Sequence, residues 1–122
     1  MAINFDKTLG IHADALMLRA ERTKVLASNI ANDSTPGYQA RDIDFAATLR
    51  RVAGDGEADD GFALDTGADL LYRVPHNPSQ DGNTVEIGVE QAAFSQNASE
   101  FQTSLTFLNM KLKGLAKAIE GQ

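Results

Sequence analysis

The chain has 122 residues, no cysteine, no tryptophan and a formal net charge of −6. The absence of cysteine excludes a disulfide scaffold and any thiolate metal site, and the acidic balance argues against a nucleic-acid partner. His12 and His76 are the only two histidines, and no serine stands in a G-x-S-x-G motif. We therefore expect one folding unit with no metal, no cofactor and no catalytic site.

Residues from about 5 to 32 have the apolar spacing of an amphipathic helix. Apolar and small residues recur alternately four and three positions apart, a period of 3.5 that is typical of coiled coils. This seam consists of Leu9, Ala13, Leu16, Ala20, Thr23, Ala27 and Ile30. About 28 residues would form a rod roughly 40 Å long, and its small side chains would allow a partner helix to approach closely.

The helical pattern ends in the stretch ASNIANDSTPGY, residues 27–38. Its Asn, Asp and Ser side chains favour caps and turns, and Pro36-Gly37 provides the two central residues of a type II turn. We expect Asn29 and Asn32 to hydrogen-bond backbone near this turn. Two interpretations are open: Tyr38 and the following segment pack against a neighbouring subunit, or the stretch is a helix end with no role in assembly.

The middle of the chain predicts short elements. A helix is expected over residues 45–51, with Asp44 as its N-cap. Residues 53–69 are rich in glycine and acidic residues, which predicts a flexible, solvated loop. Residues 70–74 and 84–87 resemble short strands, and we expect the two to form a loose hairpin.

Residues from about 88 to 119 have the strongest helical pattern, with a bulky seam at the same period: Phe94, Ala98, Phe101, Leu105, Leu108, Leu112, Leu115 and Ile119. The matched terminal seams predict a mainly α fold in which two long helices pair antiparallel. Residues 5–35 and 86–120 would form a coiled-coil core domain, with 36–85 as an extended loop and short-strand segment. Because a helix pair leaves apolar stripes uncovered, we expect self-association or a partner.

The stretch at residues 27–38 resembles the N-terminal signature of the bacterial flagellar axial rod and hook protein family. The segments QARDIDF at 39–45 and PSQDGNTV at 78–85 are similar to those of the proximal rod subunits of that family. The resemblance covers most of the chain and is weakest over 53–69. It implies that the signature is an assembly motif, consisting of Asn29, Ile30, Asn32, Thr35, Pro36, Gly37 and Tyr38.

The resemblance implies a structural, non-enzymatic subunit of the flagellar basal-body proximal rod. In that family the terminal helices line a tube, the helical drive shaft that transmits torque for motility and forms the wall of the export channel. Subunits pass unfolded through the flagellar type III export gate, without a cleaved signal peptide, and assemble in the periplasm.

The implied partners are further copies, other rod proteins and the junction protein between the rod and the membrane ring. No nucleic acid or small-molecule substrate is implied. Two alternatives remain, a paralogous rod subunit and a cytoplasmic coiled-coil adaptor.

Overall fold

The computed structural model describes residues 5–54 and 70–121, and this part of the chain is mainly α-helical. Its elements, in chain order, are α1 (Phe5–Ala31), β1 (Arg41–Ile43), α2 (Phe45–Gly54), β2 (Leu70–Tyr72) and α3 (Ile87–Glu120). Both long helices begin and end within about one residue of the positions that the seams predict. The predicted fold class is confirmed.

The two long helices pack side by side in opposite directions, and this is the most extensive contact between elements. The direction follows from three contacts in which the α1 number rises as the α3 number falls: Arg19–Glu100, Thr23–Asn97 and Asn29–Glu90. At 1.5 Å per residue, α1 is about 40 Å long and α3 about 51 Å long. The described parts of the molecule therefore form an elongated helix pair, as predicted.

The short helix α2 begins where the sequence predicts. The Asp44 carboxylate accepts a hydrogen bond of 3.1 Å from the backbone N–H of Ala47, which confirms Asp44 as the N-cap. The helix continues to Gly54, three residues beyond the predicted end. Of the segment 53–69 for which we predicted a flexible loop, 53 and 54 are the last residues of α2 and the rest lies outside the described residues.

The predicted hairpin between residues 70–74 and 84–87 is wrong. Strand β2 pairs antiparallel with β1, in the register Arg41–Tyr72, Asp42–Leu71 and Ile43–Leu70. Residues 83–86 belong to no strand, and Ile87 already begins α3. The reason is that Thr84 hydrogen-bonds the segment just before β1: its N–H donates to the Tyr38 carbonyl at 2.9 Å.

The described residues bury five polar side chains and four apolar ones. The buried apolar residues are Leu18, Leu26, Ala40 and Ile43, and the buried polar residues are Asn29, Thr48, Asn83, Glu90 and Asn97. Because a buried polar group is costly unless it is hydrogen-bonded, the fold depends on how these five are paired. None of the described helices combines the length and the apolarity needed to cross a membrane.

Candidate functional site

The signature stretch forms the turn that its Pro-Gly pair predicts. The backbone N–H of Tyr38 donates to the Thr35 carbonyl at 3.2 Å, and Gly37 has φ of 72°. This is the geometry of a type II turn, in which the third residue needs a positive φ. The chain therefore leaves α1 through a closed turn within a few residues of the helix end.

A second turn lies just before α3, in the other segment that carries the resemblance. The N–H of Gly82 donates to the Ser79 carbonyl at 3.3 Å, and Gly82 also has a positive φ, of 79°. The Asp81 carboxylate accepts hydrogen bonds from the Ser79 hydroxyl at 2.6 Å and from the N–H of Asn83 at 3.0 Å. These hydrogen bonds lower the pKa of Asp81.

The two turns are hydrogen-bonded to each other. The N–H of Gly37 donates to the Asp81 carbonyl at 3.0 Å, and the N–H of Ala40 donates to the Thr84 hydroxyl at 2.7 Å. The turns also lie close together, since a Cβ atom added to Gly82 would be 3.8 Å from the Gly37 Cα. We call this pair of turns, residues 32–40 and 79–85, the junction.

Asn83 is the central side chain of the junction. It is 5% exposed, and its Nδ2 atom lies 3.0 Å, 2.9 Å and 2.8 Å from the carbonyl oxygens of Asn32, Asp33 and Thr35. Its Oδ1 atom accepts from the N–H of Val85 at 2.7 Å. Carbonyl groups at a helix C-terminus have no partner within the helix, and here a side chain from the far end of the middle segment provides one.

Asn29 connects α1 to β1 and α3. Its side chain is fully buried and exchanges two hydrogen bonds with the backbone of Arg41, one from Nδ2 to the carbonyl at 2.6 Å and one from the N–H to Oδ1 at 3.1 Å. Nδ2 also donates to the Glu90 carboxylate at 2.9 Å. Asn29 therefore binds strand β1 rather than the turn, whereas Asn32 donates to the Ser28 carbonyl at 2.8 Å, beside the turn.

An ion cluster of four residues joins four segments of the chain beside Asn29. Arg22 from α1 binds the Asp42 carboxylate of β1 with two hydrogen bonds, of 2.9 Å and 3.0 Å. Arg73, which follows β2, binds the same carboxylate at 2.9 Å, and its Nε lies 2.7 Å from Oε1 of the fully buried Glu90 in α3. We call Arg22, Asp42, Arg73 and Glu90 the ion cluster; its formal charges cancel.

The ion cluster shifts the pKa values of Asp42 and Arg22. Burial alone would raise the pKa of Asp42, but the hydrogen bonds and charge of Arg22, the N–H of Ile43 and the charge of Arg73 together lower it. The hydrogen bond to Asp42 raises the pKa of Arg22. Both shifts favour the charged forms, so the fold favours the ionised Asp42–Arg22 pair.

Further along the helix pair, Asn97 and Arg19 make the polar contacts between α1 and α3. The Asn97 side chain is 1% exposed, and its Nδ2 donates to the Arg19 carbonyl at 3.0 Å and to the Thr23 hydroxyl at 2.9 Å. Arg19 forms an ion pair with Glu100, and its guanidinium lies 4.0 Å from the centre of the Phe45 ring in α2. The Asn97 and Glu100 contacts join α3 to α1, and the Phe45 contact joins α2 to the same arginine.

Several side chains of the predicted assembly motif contact other residues of the same chain. The Tyr38 hydroxyl lies 3.1 Å from the Ser28 hydroxyl and 3.4 Å from Asn29 Oδ1, so the Tyr38 hydroxyl contacts α1 of the same chain. The Thr35 hydroxyl donates to Asn32 Oδ1 at 3.0 Å. The remaining motif residues differ in exposure: Ile30 is half-buried, and Pro36 and Gly37 are exposed.

The predicted seams lie only partly in the helix interface, because the seam alanines are exposed: Ala13, Ala20 and Ala27 on α1 and Ala98 on α3. All four larger seam residues of α1 are half-buried: Leu9, Leu16, Thr23 and Ile30. On α3, five are half-buried, Phe94, Phe101, Leu105, Leu108 and Leu115, and two are exposed, Leu112 at 43% and Ile119 at 65%. The largest fully buried side chains are others: Leu18, Leu26 and Asn29 on α1, and Glu90 and Asn97 on α3.

The sequence patterns did not predict the residues whose hydrogen bonds and ion pairs join the segments of the site: Arg22, Asp42, Arg73, Asn83, Glu90 and Asn97. One signal was available, because Glu90 and Asn97 are seven positions apart, the same repeat that relates Phe94 to Phe101. Among the described residues, no three His, Cys, Asp or Glu side chains cluster as metal ligands would. The polar groups of the site are thus arranged to join segments of the chain.

Comparison with known proteins identifies the family that this chain resembles. A family model described as Flagella basal body rod protein matches residues 9–39, which include all of α1 from Leu9 and the first turn of the junction. Relatives named flagellar basal body rod protein FlgB align with nearly the whole chain. That of Cereibacter sphaeroides is 48% identical, with 97% of this chain and 98% of the relative covered.

Two further FlgB proteins show the same extent of similarity. The protein of Aeromonas hydrophila is 47% identical over 100% of this chain and 99% of its own length. The protein of Salmonella typhimurium LT2 is 42% identical over 99% of each. Similarity at this level over the full length shows common descent and a common fold. The chain belongs to the FlgB family of flagellar basal body rod proteins, which are structural and not enzymatic.

Proposed function

We propose that this chain polymerises with other copies and other rod proteins into the proximal part of the flagellar rod. The rod would be the helical drive shaft that transmits torque in motility, and its inner wall would line the export channel. The observation that carries the proposal is a set of exposed apolar side chains on α3: Phe107 at 53%, Met110 at 61%, Leu112 at 43% and Ile119 at 65%. These residues lie on two opposite sides of the C-terminal half of α3, and in a rod both sides would be covered by neighbouring subunits.

The architecture supports a division of roles between the two parts of the chain. The paired helices, with the seam residues between and beside them, would form the core domain of 5–35 and 86–120 that packs in the tube. The segment of 36–85 would lie outside it, and the junction would fix the angle between the two parts. On this view the signature stretch acts in assembly by setting that shape, with Pro36 and Gly37 exposed to a neighbour.

The remaining parts of the proposal concern the route and the partners. The subunit would leave the cytoplasm unfolded through the flagellar type III export gate, without a cleaved signal peptide, and assemble in the periplasm. It would contact the junction protein that links the rod to the membrane ring. A helix pair with few buried apolar side chains supports passage in an unfolded state, because little stability must be overcome to unfold it.

The test is deletion of the gene, followed by electron microscopy of isolated basal bodies and a swimming assay. We expect rings without rods and no motility in the deletion strain. The gene supplied in trans should restore both rods and swimming, and a paralogous rod gene should restore neither. Intact rods in the deletion strain would exclude the rod function and favour the adaptor. A map of the assembled basal body would then locate the chain directly.

A further inference from the structure

One face of α1 carries a groove at one end and an exposed apolar side chain at the other. The groove is an open cavity of about 280 Å³ between the end of α1, Tyr38 and the two strands, lined by Val25, Ser28, Asn29, Tyr38, Arg41 and Leu70. We call it the α1–β groove. The exposed side chain is Met17, at 48%. The cavity is larger than one methionine side chain, and methionine and arginine are both enriched in protein interfaces.

The charges around the two features are complementary. Met17 lies between Asp14, one turn before it, and Glu21, one turn after it. The α1–β groove is flanked by Arg41, which lines it, and by Lys24, whose side chain is 73% exposed. Within one chain Lys24 already pairs with Glu21, at 2.6 Å.

Asp14 has no partner of its own. Among the described residues, none donates a hydrogen bond to its carboxylate or forms an ion pair with it. Burial raises the pKa of Asp14, which shows that its carboxylate is partly desolvated without compensation. A cation from another molecule would provide that compensation.

The positions of these residues along α1 match one antiparallel arrangement of two copies of the chain. Met17 and Ser28 are separated by three helical turns and about 20°, so both lie on the same face of α1, about 16 Å apart along its axis. A two-fold axis perpendicular to α1 between residues 22 and 23 places Met17 of each copy level with Ser28 of the other. The same axis places Glu21 level with Lys24 of the second copy, and Asp14 within one turn of its Arg41. A face that matches itself under a two-fold rotation is the mark of an isologous interface.

We propose that two free copies of this chain pair antiparallel through this face of α1, with Met17 of each copy inserted into the α1–β groove of the other. The interface is closed, so it forms a dimer and does not extend into a filament. It concerns the free protein and uses a different surface from the exposed apolar residues of α3. One helix face with one inserted side chain per copy is small, and we expect a dissociation constant in the micromolar range or weaker.

The first test is sedimentation of the full chain over about a hundredfold range of concentration, in which a dimer must follow mass action. We expect the mass to rise from that of one chain, 13.1 kDa, toward twice that value. Met17→Glu should raise the dissociation constant at least tenfold. The matched control is Ile11→Glu, because Ile11 is also exposed, at 51%, but lies on another face of α1; it should change the constant less than twofold. A constant mass at all concentrations, or equal effects of both variants, overturns the proposal.

The second test uses the absence of cysteine from the chain. In the variant Met17→Cys with Ser28→Cys, the two cysteines of one chain are too far apart to bridge, since a disulfide requires Cα atoms within about 7 Å. Oxidation should therefore give a covalent dimer and no larger species, and Met17→Cys with Ser95→Cys should give none. A ladder of multimers would contradict the two-fold geometry, and a lack of cross-linking would contradict the contact. Charge reversal tests the polar contacts: Asp14→Lys and Arg41→Glu should each weaken the dimer, and the double variant should restore it.

Discussion

The side-chain amide of Asn83 donates to the carbonyl oxygen of Thr35 at 2.8 Å, across 48 positions of sequence. The same nitrogen lies within hydrogen-bonding distance of the Asn32 and Asp33 carbonyls. The end of α1 is therefore completed by a residue that lies just before α3. Because the two turns are hydrogen-bonded to each other, both long helices leave the junction from fixed positions.

Replacement of Asn83 by alanine should destabilise the fold by about 2 kcal/mol, because it removes the buried amide that binds three carbonyl groups of the first turn and leaves the N–H of Val85 without its acceptor. Asn83→Asp should destabilise it more, since a carboxylate would face three carbonyl oxygens. The measurement is urea unfolding followed by circular dichroism. Asn77→Ala is the matched control, because Asn77 is exposed, and it should change the stability by less than about 0.5 kcal/mol. Equal effects of Asn83→Ala and Asn77→Ala would show that Asn83 does not hold the junction.

Replacement of Gly37 by valine should impair rod assembly more than expression. Gly37 has φ of 72°, and a β-branched residue in that region costs about 1–3 kcal/mol, so the turn would open or change its angle. Basal bodies and swimming are the measurements, with protein level in the cell as reference. Gly10→Ala is the control: Gly10 lies inside α1 with open space at its Cβ position, and alanine there should stabilise the helix by about 1 kcal/mol. Normal motility with Gly37→Val would argue against a role of the turn in assembly.

The elements that sequence predicted correctly depend on local physics. The helices follow from apolar spacing, the turn from Pro36-Gly37 and the start of α2 from Asp44. Each of these signals lies within the segment that it shapes. The pairing of β1 with β2 has no such signal, because β1 is Arg41, Asp42 and Ile43, and its polar residues are stabilised by Asn29 and Arg22 from α1.

The buried polar residues could not be found from apolar spacing for a related reason. After Phe94, the next interface residue of α3 is Asn97, three positions on, whereas the predicted seam passes through Ala98, which is exposed. A search for apolar residues passes over an asparagine and a glutamate even when their spacing is that of a seam. Their partners, Thr23, Asn29 and Arg73, lie in other elements, and only the folded chain shows that they meet.

The ion cluster should make the protein acid-sensitive. The folded-state pKa of Asp42 is lowered, so its carboxylate stabilises the fold fully above its unfolded pKa of about 4, and this contribution is lost as the pH falls through the folded-state value. Asp42→Asn should lower the unfolding free energy at neutral pH by about 2 kcal/mol and flatten its dependence on pH below about 5. The measurement is urea unfolding at a series of pH values.

Asp81→Asn is the comparison variant for this experiment, because the pKa of Asp81 is also lowered. The pKa of Asp14 is raised, so Asp14 contributes to the pH dependence of stability with the opposite sign. Asp81 is exposed and lies in the second turn, outside the ion cluster. An Asp42→Asn profile parallel to that of the unmodified chain would mean that Asp42 does not contribute to the acid sensitivity.

Replacement of Asn97 by leucine should loosen the register between α1 and α3 without lowering the stability of the fold. Asn97 is buried between the long helices, and its Oδ1 atom has no partner among the described residues, so leucine would remove an unsatisfied group and add apolar contact. The Arg19 carbonyl would keep the Thr23 hydroxyl, which donates to it at 3.0 Å. We therefore expect unchanged or higher resistance to urea. A buried asparagine in a helix interface can nevertheless select one register, and the spread of distances between spin labels at the exposed Lys24 and Gln96 should widen in the variant. If the distance distribution stays as narrow as in the unmodified chain, the register is set by the Arg19–Glu100 pair and the junction, and Asn97 is dispensable for it.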